Sequence, residues 1–174
     1  MNMKGIAIVC LSSLLMACCS SPSPQRPSQR KSEAPQADSA HLALLQLNKE
    51  LAEAADRELM QLAQAQDPPY ALYEGNAWGV ILERGDTGLP SPKANEEWSV
   101  HMRVMSLDQQ LLSDSEGTYR IGKYELPPAI DANITEWHHG TRARMFVPWY
   151  TAFGMQGTEH IPAYENVIIE IEVK

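Results

Sequence analysis

Apolar positions recur with two different periods along this chain, and the change of period near Tyr70 divides it. Between residues 39 and 67, Leu44, Leu47, Leu51, Ala55, Leu59 and Leu62 fall on one face of a helical repeat. Lys49, Glu50, Glu53 and Arg57 lie elsewhere, so the spacing predicts an amphipathic helix. Asp67-Pro68-Pro69 should stop it, because proline lacks the amide hydrogen and disfavours helix in the residue before it. At about 1.5 Å per residue such a helix is longer than a small domain needs for a lid. The stripe therefore has two readings: it packs on the domain that follows, or it pairs with a second copy as a homodimer through residues 39–67.

Beyond Tyr70 the period falls to two. Trp78 to Glu83 suits a strand, and Gly85 to Pro92 is a turn-rich loop. Trp98, Val100, Met102 and Val104 alternate with Ser99, His101, Arg103 and Met105, as in a strand buried on one face. Pro127 and Pro128 can open a short helix with Ile130, Ile134 and Trp137 on one side and Gly140 closing it. Arg142 to Val147 is strand-like again. The last strand sends Val167, Ile169, Ile171 and Val173 to one face and Ile168, Glu170, Glu172 and Lys174 to the other. The fold class is α+β: an antiparallel half-barrel sheet wrapped on one short helix, preceded by a long amphipathic helix.

The chain's 174 residues, 44% hydrophobic, suit one domain plus appendages. A net charge of −8, with no Lys/Arg cluster outside the N-terminal linker, argues against nucleic acid, which needs clustered cations to replace its counterions. Cys10, Cys18 and Cys19 all precede the globular part, which therefore has no disulfide, thiolate nucleophile or zinc cage. His138-His139 beside Glu136 could suggest a metal. Adjacent helical side chains point about 100 degrees apart, however, and a solvated helix end is the better reading. Asn133-Ile134-Thr135 matches a glycosylation acceptor but falls in the predicted helix, where the match is accidental. No G-x-S-x-G elbow or phosphate-cradling glycine loop is present, so hydrolase and nucleotide readings have no support; no metal and no cofactor are expected.

Residues 1–17 read as a signal peptide, with Lys4 before an apolar run too short to span a bilayer. Leu15-Met16-Ala17-Cys18 resembles a bacterial lipobox, which implies acylation of Cys18; an ordinary signal peptide with incidental cysteines is the alternative. Residues 18–38, rich in Ser and Pro, then serve as a disordered tether. The expected location is outside the cytoplasm, lipid-anchored to a bacterial envelope membrane.

Four blocks near the C-terminus recur in one family's order and spacing. They are Gly140 to Pro148, Ala152-Phe153-Gly154 with Gly157, Ile161-Pro162, and Val167 to Val173. Residues 76–174 resemble an FKBP-type peptidyl-prolyl cis-trans isomerase domain, and the preceding helix looks like that of lipoprotein FKBPs. The resemblance implies an apolar pocket that accelerates rotation about X-Pro bonds. Phe153, Ile161, Ile169, Leu126 and Met102 would be its catalytic walls, with Leu112, Ile130 and His160 as substrate contacts. It implies proline-containing polypeptide clients and no cofactor.

The family's acidic residue falls on Ser113 and its backbone donor on Pro127, which has no amide hydrogen. A one-residue shift between Ser106 and Pro128 would instead restore a donor at the Leu126 amide or reassign the acid to Asp114. Two functions remain open: an isomerase, or a binding module that keeps the fold and has lost the chemistry.

Overall fold

The computed structural model describes residues 34–174; the expected signal peptide, Cys18 and most of the expected tether lie outside the described residues. Helix α1 spans Ala34–Gln64. It starts earlier than the sequence pattern indicates, so the last residues assigned to the tether are helical. Pro35 is tolerated there because first-turn amides have no intrahelical acceptor. The helix also stops short of Asp67. The Gln66 and Tyr70 amides both bond the Ala63 carbonyl, at 3.3 and 3.1 Å, and turn the chain away ahead of the prolines.

Strands β1 (Ala71–Leu72), β2 (Trp78–Glu83), β3 (Glu97–Ser106) and β4 (Leu111–Arg120) precede helix α2 (Pro128–Asn133). Strands β5 (Arg142–Val147) and β6 (Val167–Val173) follow it. They form one antiparallel sheet in the order β1-β2-β5-β6-β3-β4. This is the expected α+β half-barrel.

Alternation along the strands gives the sheet two faces. On the inner face Val100, Met102 and Val104, Ala143, Met145 and Val147, and Val167, Ile169, Ile171 and Val173 are buried around Ile130 and Ile134. The outer face has its buried apolar cluster at one end, where Met105, Phe146 and Ile168 lie under Leu59 and Ala63 of α1 and Tyr70 stacks on Phe146. Over its remainder charges alternate from strand to strand. Glu170 stands opposite Arg103 on β3 and Arg144 on β5, and Glu172 opposite His101 and Arg142. Cross-strand neighbours of opposite sign support the pairing and blunt the surface against aggregation.

Only the C-terminal half of the leucine stripe is covered. Ala55 and Leu59 are buried, whereas Leu44, Leu47 and Leu51 are 51, 50 and 38% exposed.

Three elements differ from expectation. Strand β4 has no buried residue and no apolar period; its pairing with β3 holds it in place. Helix α2 ends at Asn133 and passes into a single 3-10 turn, Ile134–Glu136, so Trp137 is already extended. Gly140, at φ 86, serves the bend into β5 rather than the helix end.

Candidate functional site

The site predicted from sequence lies between α2 and the inner face of the sheet. Helix α2 is short, so its position depends on polar anchors. The buried Asp131 carboxylate accepts from the Gly122 and Tyr124 amides at 2.8 and 3.1 Å, tying the β4–α2 connection to the helix. Buried Asn133 donates to the Ala129 and Glu74 carbonyls at 2.7 and 3.1 Å and accepts from the Glu74 amide at 3.2 Å. Sequence reading gave neither residue this role. Two short polar side chains among apolar helical positions were the available signal.

Around this helix the structure gathers Met102 from β3, Ile169 from β6, Leu126 from the helix approach, Ile130 from α2 and Ile161 from the loop between β5 and β6. Leu112 and Phe153 pack against the same cluster and are partly exposed. His160 stands apart, exposed beside Ile161.

The loop carrying Phe153 and Ile161 is held from both sides. Inside it, Thr158 N bonds Ile161 O at 2.8 Å, and Thr158 Oγ1 accepts from the Ile161 amide at 3.1 Å. Gly157 has φ +62, and a Cβ there would stand 2.2 Å from the Ile161 oxygen, so only glycine fits. From α1, Glu58 accepts from Asn166 Nδ2 at 2.9 Å, and Asn48 accepts from the Tyr164 hydroxyl at 3.2 Å. Asp56 accepts from the Tyr150 hydroxyl. The tyrosine's pKa is pushed from 10.0 up to about 12, by burial first and then by the bond to Asp56.

The polar chemistry of the site is sparse. Pro127 and Pro128 offer no N–H at the entry to α2; the first amide of the helix is that of Ala129, and those of Ile130 and Asp131 after it bond the Pro127 carbonyl at 2.8 and 2.9 Å. Ser113 faces inward, opposite Val104. Asp114 points to the other face, where it bonds His101 Nε2 at 2.6 Å and meets Arg103 Nε at 3.5 Å. The shifted alignment that would make Asp114 the acid is therefore incorrect.

Exposure decides what the walls can touch. Ile130 and Ile169 are 0% exposed, Leu126 2%, Ile161 3% and Met102 7%. A ligand can reach Phe153 and Leu112 directly, but meets the other five only after a local opening. The arrangement can shelter an apolar ring and exclude water from it.

No family model and no curated protein matches the chain. Among solved structures, its fold is similar to a crystal structure of the peptidyl-prolyl cis-trans isomerase PPIase from Pseudomonas syringae pv. tomato str. DC3000. The TM-score is 0.60 at 20% sequence identity, covering 72% of this chain and 92% of that one. The FKBP-like fold class is thereby shown.

Proposed function

We propose that this protein is a peptidyl-prolyl cis-trans isomerase of low turnover, anchored to a bacterial envelope membrane through a lipid on Cys18 and acting on X-Pro bonds of exported polypeptides. The reading divides the chain into signal peptide, tether, helix and FKBP-like domain. One observation carries it: an FKBP-like fold whose inner-face cluster brings Phe153 and Leu112 to the surface above Met102, Leu126, Ile130, Ile161 and Ile169.

Rotation about an X-Pro bond is slow because amide resonance sets a barrier of roughly 18–20 kcal/mol. An apolar surface that holds a twisted, less polar amide better than a planar hydrated one lowers that barrier by differential binding. About 4 kcal/mol of such preference corresponds to roughly a thousandfold. Low turnover follows from the missing helpers. Pro127 cannot donate to the substrate carbonyl, and Ser113 supplies no carboxylate.

Those two residues, with the depth at which five of the walls lie, also favour a second reading: a binding module that holds proline-containing segments without isomerising them. A protease-free isomerisation assay on a proline peptide, with residues 20–174 and a Phe153→Ala variant, separates the two. Acceleration abolished by the variant supports the isomerase. A folded protein that binds the peptide without accelerating exchange supports the module.

A further inference from the structure

Strand β2 is an edge along two-thirds of its length. Its register with β5 runs from Trp78 to Glu83, but β1 pairs only Trp78 and Gly79. Ahead of β1 the chain bends away, with the Tyr70 amide bonding Ala63 O at 3.1 Å; after it the Tyr73 amide bonds Ala77 O at 2.7 Å and closes the hairpin at the other end of β2. Pro68 and Pro69, the residues that would extend β1, have no amide hydrogens to offer the sheet. The margin of β2 from Val80 to Glu83 is therefore open to another strand.

Beside this margin, on the inner face, is a cavity of about 380 Å³ lined by Tyr73, Ile81, Arg84, Glu136, Trp137 and Thr141. That lies within the roughly 300–1,000 Å³ range of ligand pockets. None of the seven candidate-site residues, Phe153, Leu112, Met102, Leu126, Ile130, Ile161 and Ile169, lines it, although Tyr73, Ile81 and Trp137 belong to the same continuous core. Its far wall is preformed. Gly85 N bonds Thr141 Oγ1 at 3.1 Å, Asp86 N bonds His139 O at 3.1 Å, and His138 Nδ1 lies 3.1 Å from Leu89 O. A Cβ on Gly85 would sit 2.5 Å from the His139 oxygen, so the loop approaches as closely as glycine permits. Trp137 and Thr141 are each 4% exposed and give the cavity a fixed floor. At its mouth stand two opposite charges, Arg84 and Glu136. Among the described residues neither has an ion-pair or hydrogen-bond partner.

We infer that the margin from Val80 to Arg84 docks an extended segment of a partner polypeptide. The segment adds a strand to β2, places one apolar side chain in the Tyr73–Ile81–Trp137 cavity, and sets an acidic residue against Arg84. Backbone pairing supplies affinity, and the pocket supplies selection. Alternate residues of a strand face the same side, so the apolar and acidic residues are about two apart. Glu136 on the opposite rim repels a second acid and fixes the direction in which the segment lies.

The test uses the full-length protein in detergent micelles and a blocked heptapeptide, Thr-Val-Thr-Phe-Thr-Asp-Thr. Hydrogen exchange read by mass spectrometry should slow in the segment covering residues 80–83 when the peptide is added. Arg84→Glu should weaken binding about tenfold. A peptide with Lys in place of Asp should recover that loss on the variant, while Phe153→Ala leaves the affinity unchanged. Unaltered exchange at 80–83, equal affinity for Arg84→Glu, or no recovery by the Lys peptide would overturn the proposal. So would loss of binding in Phe153→Ala, which would place the peptide at the apolar cluster. Protection of 80–83 that rises with protein concentration and without peptide would assign the edge to a second copy instead.

Discussion

The Tyr150 hydroxyl donates to the Asp56 carboxylate and accepts from Asn76 Nδ2 at 2.9 Å, so α1 and the start of the Phe153 loop share one polar junction. Residues far apart in sequence are joined there. Removing the hydroxyl leaves a partly buried carboxylate short of a donor, a loss of about 1–3 kcal/mol. Tyr150→Phe should accordingly lower the urea midpoint without changing the slope of the transition. An unchanged midpoint would mean that the loop holds its place without α1.

The same hydroxyl predicts an alkaline limit. Its pKa rises from 10.0 to about 12 on folding, chiefly by burial and then through Asp56. Between those values the folded state binds more protons than the unfolded state, so stability falls as pH rises. The contribution is complete below pH 10 and lost as pH passes 12. Thermal melts across this window should show a steeper decline for the native protein than for Tyr150→Phe. Parallel declines would assign the alkaline loss to other groups.

Along α1 the cost of truncating a leucine should change abruptly. Leu59 is fully buried against Met105, Phe146 and Ile168, whereas Leu44 is 51% exposed. Leu59→Ala should cost about 2–5 kcal/mol, and Leu44→Ala within about 0.5 kcal/mol of zero. Chemical denaturation of the two variants at several protein concentrations checks both values. A large, concentration-dependent cost at Leu44 would show that the exposed half of the stripe joins a second copy.

Strand β2 was legible as a short apolar run ahead of a turn-rich loop, and strands β3, β5 and β6 because each buries one face, which writes a period of two into its residues. Helix α1 was legible for the same reason, with a period near four. Strand β4 was not, because Ser113, Ser115 and Gly117 face inward without being apolar, and its order comes from bonds to β3. The apolar members of the candidate site were readable from the motif blocks, but their depth was not: Ile130 and Ile169 lose all exposure only when α2 closes on the sheet. The anchoring role of Asp131 and Asn133 was not legible because their partners on Gly122, Tyr124 and Glu74 are backbone groups that leave no trace in side-chain pattern.

Gly157 isolates the loop from the rest of the site. Its φ of +62 and the 2.2 Å approach of Ile161 O to a built Cβ leave no room for a side chain. Gly157→Ala should displace Ile161 and cost about 1–3 kcal/mol through the strained backbone alone. Near-ultraviolet circular dichroism and a melt would detect it; a native spectrum and melting temperature would mean that the loop adapts freely.

If low turnover comes from absent polar groups, restoring one should raise it. Pro127 has φ −50 and ψ 136, a conformation open to other residues, so Pro127→Ile can introduce an amide hydrogen at the mouth of the cluster without rebuilding the backbone. The exchange forfeits some restriction of the unfolded chain, about 0.4–1 kcal/mol of stability. In return, a donor aimed at the substrate carbonyl should raise kcat/KM for a proline peptide by about tenfold, a modest fraction of what such donors supply where full charge develops. Pro128→Ile is the control, since it adds an amide one residue further into the helix. A gain for Pro127→Ile alone supports the missing-donor account. Equal gains in both variants point to loosening of the α2 entry, and no gain in either moves the site toward the binding-module reading, in which closure of the apolar cluster, not the lack of a donor, limits the chemistry.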